Sequence, residues 1–132
     1  MIEDLVKRFY ADLWEAGDEA AAPDILHPNL TFRGSVGQEK NGIPGYLEYL
    51  RFIRGALSEY RCDILTLVSD GAHAAAKMRF RGQHTGAFLG HAPTGTEIAW
   101  HGAAFFQMRD NRLADIWVLG DTEALHKALR AS

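Results

Sequence analysis

Two side chains stand where acid/base chemistry could be done. Asp121 lies four residues after Trp117, where an apolar stretch gives way to a helix-forming one. A carboxylate facing an apolar wall has its charged form disfavoured, so its pKa rises toward values useful to a general base. Asp is also among the strongest helix N-caps, and Asp121 directly precedes a segment with Leu125 and Leu129 one turn apart. The two duties compete for the same oxygens, and both readings stand. His84 ends a stretch whose even positions, Ala76, Met78, Phe80 and Gly82, are otherwise apolar or small. That parity aims its imidazole to the same side, as an auxiliary proton donor or as a satisfied structural residue.

Other chemistries find no support. The six histidines include no i,i+4 pair, no His-x-Glu and no cysteine neighbour, so no metal site is expected. No nucleophile elbow or phosphate-cradling glycine loop occurs, and no cofactor is expected. Cys62, the single cysteine, reads as a small apolar core residue. Lys77, Arg79 and Arg81 form a basic row that reads as a solvated strand face.

The elements that would position these residues follow from periodicity. Ile2, Leu5, Val6, Phe9, Leu13 and Trp14 recur at three- and four-residue steps, which predicts a helix ending near Ala16, before Gly17. A short helix over residues 20–26, stopped by Pro28, precedes a brief strand at residues 30–33. Residues 34–45 read as a glycine-rich loop and residues 46–57 as a second long helix. From residue 61 the period becomes two: Cys62, Ile64, Thr66 and Val68 share one face, and a turn falls at Asp70-Gly71. Strands over 76–84, 97–109 and 113–119 follow, the last two joined by an Asp110-Asn111 hairpin. Helices, then a run of antiparallel strands, then a closing helix make an α+β fold. A strongly curved sheet with helices over its concave side encloses a pocket. Trp14, Phe32, Met78, Phe80, Trp100, Phe106 and Trp117 are the candidate substrate-binding wall, with Tyr10 and Tyr49 beside them.

Composition bounds the rest. The chain has 132 residues, 47% of them hydrophobic, which fits one domain spanning residues 1–132. Fourteen basic against seventeen acidic residues give a net charge of −3, which argues against nucleic acid. No apolar run approaches the ~18 residues a membrane helix requires, and the N-terminus lacks a signal-peptide h-region. One cysteine excludes an internal disulfide and suits a reducing cytoplasm.

Three stretches carry a resemblance. HTGAFLGHAPTG (84–95), WHGAAFFQMRDNRLADIWVLGD (100–121) and EALHKAL (123–129) resemble the C-terminal half of SnoaL-like proteins. These polyketide and ester cyclases belong to the nuclear transport factor 2-like superfamily. WEAGD (14–18) and HPNLTFRG (27–34) agree more loosely. The resemblance implies a cone-shaped, cystatin-like α+β fold: a curved, antiparallel to mixed sheet with N-terminal helices over its concave face. It also implies a deep apolar pocket for an apolar small molecule, and a homodimer packed through the sheet. In the cyclases an Asp at the position of Asp121 serves as acid/base for an aldol ring closure without metal or organic cofactor. Where they carry a pocket histidine this chain has Ala104, and where they carry a polar residue on the first strand it has Phe32. That alignment turns Trp100, Gly102, Ala104 and Phe106 inward and His101 outward. The expected activity is cofactor-independent aldol cyclisation or isomerisation of a bulky apolar carbonyl compound. The competing classes are a non-catalytic carrier with the same pocket and a dimeric interaction module.

Overall fold

The fold was described from a computed structural model covering residues 1–131. Helix α1 (Ile2–Arg8) buries Ile2, Leu5 and Val6 and then widens into a π-helical stretch, Phe9–Glu15. Periodicity predicted one uniform helix here. The Ala16 amide reaches back to the Ala11 carbonyl, the i→i+5 bond of a π-turn. The wider turn keeps two adjacent pairs, Phe9–Tyr10 and Leu13–Trp14, on the buried side together. Gly17, at φ +68°, ends the stretch where a β-carbon would run into the Arg54 guanidinium.

A 3-10 turn (Glu19–Ala21) and the short α2 (Ala22–Ile25) lead into β1 (Leu26–Arg33). The strand starts earlier than Pro28 suggested, because Leu26 already pairs with Leu113. Pro28 sits exposed within the irregularity between Leu26 and Thr31, where its missing N–H breaks no ladder bond. The expected loop contains β2 (Glu39–Asn41) and the start of α3 (Gly42–Ala56). Pro44 falls in the first turn of α3, where a helix tolerates it.

Strands β3 (Leu57–Asp70), β4 (His73–His84), β5 (Glu97–Arg109) and β6 (Arg112–Gly120) precede α4 (Thr122–Ala131). The six strands form one curved, unclosed sheet in the order β2-β1-β6-β5-β4-β3. Only β1–β6 is a parallel pair. The N-terminal helices and α3 cover the inner face, and α4 packs on β5 with Leu125 and Leu129 buried.

On β4 the even residues from Ala74 to His84 face inward. On β5, Ile98, Trp100, Ala104 and Phe106 are buried while His101 is exposed, as expected. Strand β3 departs from simple alternation because it carries two bulges, between Ser58 and Arg61 and between Ile64 and Thr66. Each extra residue flips the faces that follow. Thr66 and Val68 are therefore exposed, and Leu67 packs against the core instead.

Candidate active site

The helices and the concave sheet face meet over a set of rings. The π-helical stretch supplies Phe9, Tyr10 and Trp14, α3 supplies Tyr46 and Tyr49, and β1 supplies Phe32. Tyr60 enters from β3 because the bulge at Glu59, held at φ +52°, turns it inward. Ring centroids lie 5.2 Å apart for Phe32–Tyr49, 5.5 Å for Trp14–Tyr60 and 6.5 Å for Tyr10–Phe80. These separations fall in the range that aromatic packing prefers, with the ring planes tilted by 48° to 58°.

The rings leave a cavity of about 10 Å³, bounded also by Ser35 and Val118. That volume is at the limit for one water molecule. The deep pocket expected from the resemblance is thus closed in this conformation, because aromatic side chains fill it. Trp14, Phe32 and Phe80 line the cavity. Met78, Trp100 and Phe106 are buried in the packed interior around it. Trp117 is placed differently: it is 39% exposed on the outer sheet face, under the Arg33 guanidinium and beside Phe105. Alternation explains this, since Ile116 and Val118 take the inward positions of β6.

All four tyrosines of the chain are buried here. Burial pushes the Tyr10, Tyr46 and Tyr60 hydroxyls well above the ordinary phenol range, reinforced by the nearby Cys62 thiol. Tyr49 is raised less far, because burial is opposed by its contacts with Ser35 and Val36. Its hydroxyl accepts the Val36 amide at 3.2 Å and lies 3.5 Å from Ser35 Oγ. Burial likewise raises the Cys62 thiol. These groups are neutral at physiological pH, and the phenols can donate hydrogen bonds but not serve as bases.

The floor of this arrangement is tied down by charge. Arg54 donates to the carbonyls of Trp14 and Glu15 at 2.6 and 3.1 Å, which satisfies the end of the π-helical stretch. Glu15 in turn accepts the Cys62 amide at 2.9 Å.

Asp121 lies outside the cavity lining, between β6 and α4. It is exposed, its Oδ1 accepts the Ala124 amide at 3.0 Å, and its own amide donates to the His101 carbonyl at 2.8 Å. It therefore caps α4 in an exposed position, and no contact places it against the apolar wall expected beside it. The preceding Gly120 packs against Ser35, whose carbonyl would lie 2.2 Å from any β-carbon added there. The loop that lines the cavity thus reaches the residue before Asp121.

His84 is fully buried but lies elsewhere. Its Nδ1 shares a hydrogen bond of 3.1 Å with Thr94 Oγ1, and its backbone is bonded to Thr94, Gly95 and Thr96. His101, which meets Asp121, pairs with Arg79, five residues before His84 on β4. At ~3.3 Å per strand residue that is roughly 16 Å along the sheet. The expected joint site of Asp121 and His84 is not formed.

Sequence reasoning missed Ser35, Tyr60 and Val118. Ser35 stood in what read as a featureless glycine loop, and only its packing on Gly120 and Tyr49 reveals it. Tyr60 was hidden by the bulge before it. Among the described residues no group of three or more His, Cys, Asp or Glu could hold a metal ion. No helix among them is long and apolar enough to cross a membrane.

Comparison with known proteins agrees with this architecture. A family model described as SnoaL-like polyketide cyclase matches residues 4–129. Among solved structures, a Jannaschia sp. CCS1 protein assigned to the SnoaL-like polyketide cyclases superposes with a TM-score of 0.87 at 18% identity. That alignment covers 98% of this chain and 91% of the other. TsrD from Streptomyces laurentii gives 0.85 at 25% identity, over 99% and 96% of the two chains. IdmH from Streptomyces antibioticus, assigned as a polyketide cyclase, gives 0.84 at 19%, over 97% of each. No curated protein sequence matches significantly.

Proposed function

The chain belongs to the SnoaL-like polyketide cyclase family, and from that membership we propose that it catalyses acid/base chemistry on an apolar carbonyl compound. The reaction is an aldol cyclisation or isomerisation, carried by the chain's own groups without metal or organic cofactor. Asp121 is the acid/base: it removes a proton next to the carbonyl and returns it to the oxygen or carbon that needs it. One observation carries this reading. The cap on α4 engages Oδ1, and no hydrogen bond or ion pair to Oδ2 is found among the described residues, so cap and base need not compete for one atom. Gly120, the residue before Asp121, packs against Ser35 of the cavity wall. His84 is given no part at the reacting atoms; it anchors residues 94–96. A bulky substrate enters when the Ser35–Val36 loop leaves Tyr49.

The test is turnover of a panel of polycyclic ketones by wild type and Asp121→Asn. Asn caps helices as well as Asp does, so the melting temperature should hold. Loss of a general base costs ~10²–10⁴ in rate. Turnover that survives Asp121→Asn removes Asp121 from the mechanism. Ligand-induced stabilisation of both proteins, without turnover by either, supports a carrier, which the Oδ1 cap alone would also fit.

We further infer that two copies pair through the outer sheet face, where Phe105, Trp117, Leu119 and Val68 are exposed. A contiguous apolar patch of this kind marks an interaction surface. The single, buried thiol suits a cytoplasmic protein.

A further inference from the structure

Among the described residues, four buried polar side-chain atoms have no hydrogen-bond partner within the protein: Tyr10 Oη, Tyr46 Oη, His84 Nε2 and Trp100 Nε1. An orphaned buried hydroxyl is costly, and each such group in a folded protein calls for an explanation. Of the four residues, Tyr10 alone also lines the cavity. It is presented there by the π-helical stretch, a distortion that recurs at functional sites. Its ring packs against Phe80 and Phe106, and most of the other residues that line the cavity are aromatic.

We propose that the Tyr10 hydroxyl is the hydrogen-bond donor for a ligand oxygen, a ketone carbonyl or the enolate formed from it. This rests on reading the cavity as the substrate pocket and adds to it the group that selects an oxygenated ligand. Tyr10 keeps its proton throughout: burial holds the phenol neutral, so it stabilises charge on the ligand oxygen without being consumed. The hydroxyl has no partner within the protein to give up when a ligand oxygen arrives, so the new bond replaces no internal one. The fold itself does not use the hydroxyl, and a bound oxygen would.

The experiment measures binding of 2-naphthol and naphthalene, ring systems that differ by one oxygen, by isothermal titration calorimetry. Wild type should prefer 2-naphthol by roughly tenfold, the effect of one buried hydrogen bond. Tyr10→Phe should abolish that preference, keep naphthalene affinity and raise the melting temperature of the ligand-free protein. Tyr46→Phe removes a buried hydroxyl that does not line the cavity, so it should leave the preference intact. A preference retained in Tyr10→Phe overturns the donor while the pocket stands. A lowered melting temperature in Tyr10→Phe also overturns it, since the hydroxyl would then be employed structurally. Failure of wild type to bind either probe overturns the pocket reading, and the donor falls with it.

Discussion

Asp121 shows how one side chain can hold a helix and still keep an oxygen for other work, because a carboxylate has two acceptor atoms and an N-cap needs one. The tyrosines show a different economy. All four hydroxyls are raised above the ordinary phenol range chiefly by burial, so the folded state resists their ionisation. The unfolded chain ionises them near their usual pKa of about 10. A raised acid pKa contributes stability that is complete below the unfolded value and lost as pH climbs past it. Stability should therefore fall above about pH 10, beginning somewhat lower through Cys62, whose thiol is also raised. Titrated by tyrosinate absorbance at 295 nm, no phenol should ionise before the circular dichroism signal of the fold is lost. A tyrosine that titrates normally in the folded protein would contradict this placement.

At the level of elements, the two bulges of β3 decide which side chains reach the interior. The first holds Glu59 in the left-handed region, where a side chain costs ~1–2 kcal/mol relative to the right-handed one. Glycine bears no such penalty, so Glu59→Gly should stabilise the protein by up to about 1 kcal/mol, read as a higher urea midpoint. A lower midpoint would mean that the Glu59 side chain contributes more than its backbone strain costs. These same bulges mark the boundary of what the sequence could tell. Strand β4 was legible to its inward face, because alternation runs from Ala74 to His84 without an extra residue against β5. On β5 alternation left the inward face open, and only the alignment with the cyclases chose the side that Trp100 and Phe106 take. In β3 an inserted residue shifts parity and leaves no trace in residue type, so Tyr60 and Leu67 were assigned no inward place. The π-helical turn was equally hidden, since apolar pairs four apart, Phe9–Tyr10 and Leu13–Trp14, fit either helix. At the site, the cap geometry of Asp121 was readable from Asp preceding a helix. The closure of the pocket was not, because it depends on how rings from five elements pack together.

At the scale of the whole molecule, the sheet has two different faces. The inner one is covered by helices, whereas the outer one leaves Phe105 49% and Leu119 51% exposed. Phe105 stands opposite Trp117 and Ala75 on the neighbouring strands, which puts it amid this patch. A charge there cannot be buried cheaply against a second copy. Phe105→Arg should convert a dimer to a monomer in sedimentation equilibrium, with the melting temperature of the monomer little changed. A wild type that is monomeric at all concentrations would exclude pairing through this face.

The parallel pairing of β1 with β6 also sets a timetable. Thr31 meets Asp115 across 84 positions of chain, so β1 waits for its inner neighbour until the C-terminal strand has been made. During N-to-C synthesis the first helix, β1 and α3 precede most of the sheet that will cover their rings. A nascent chain halted before Arg112 would therefore display an open strand edge beside an aromatic face, the surfaces that chaperones recognise and that drive aggregation. For this protein the vulnerable moment is birth, and it ends only when the hairpin from β5 to β6 closes.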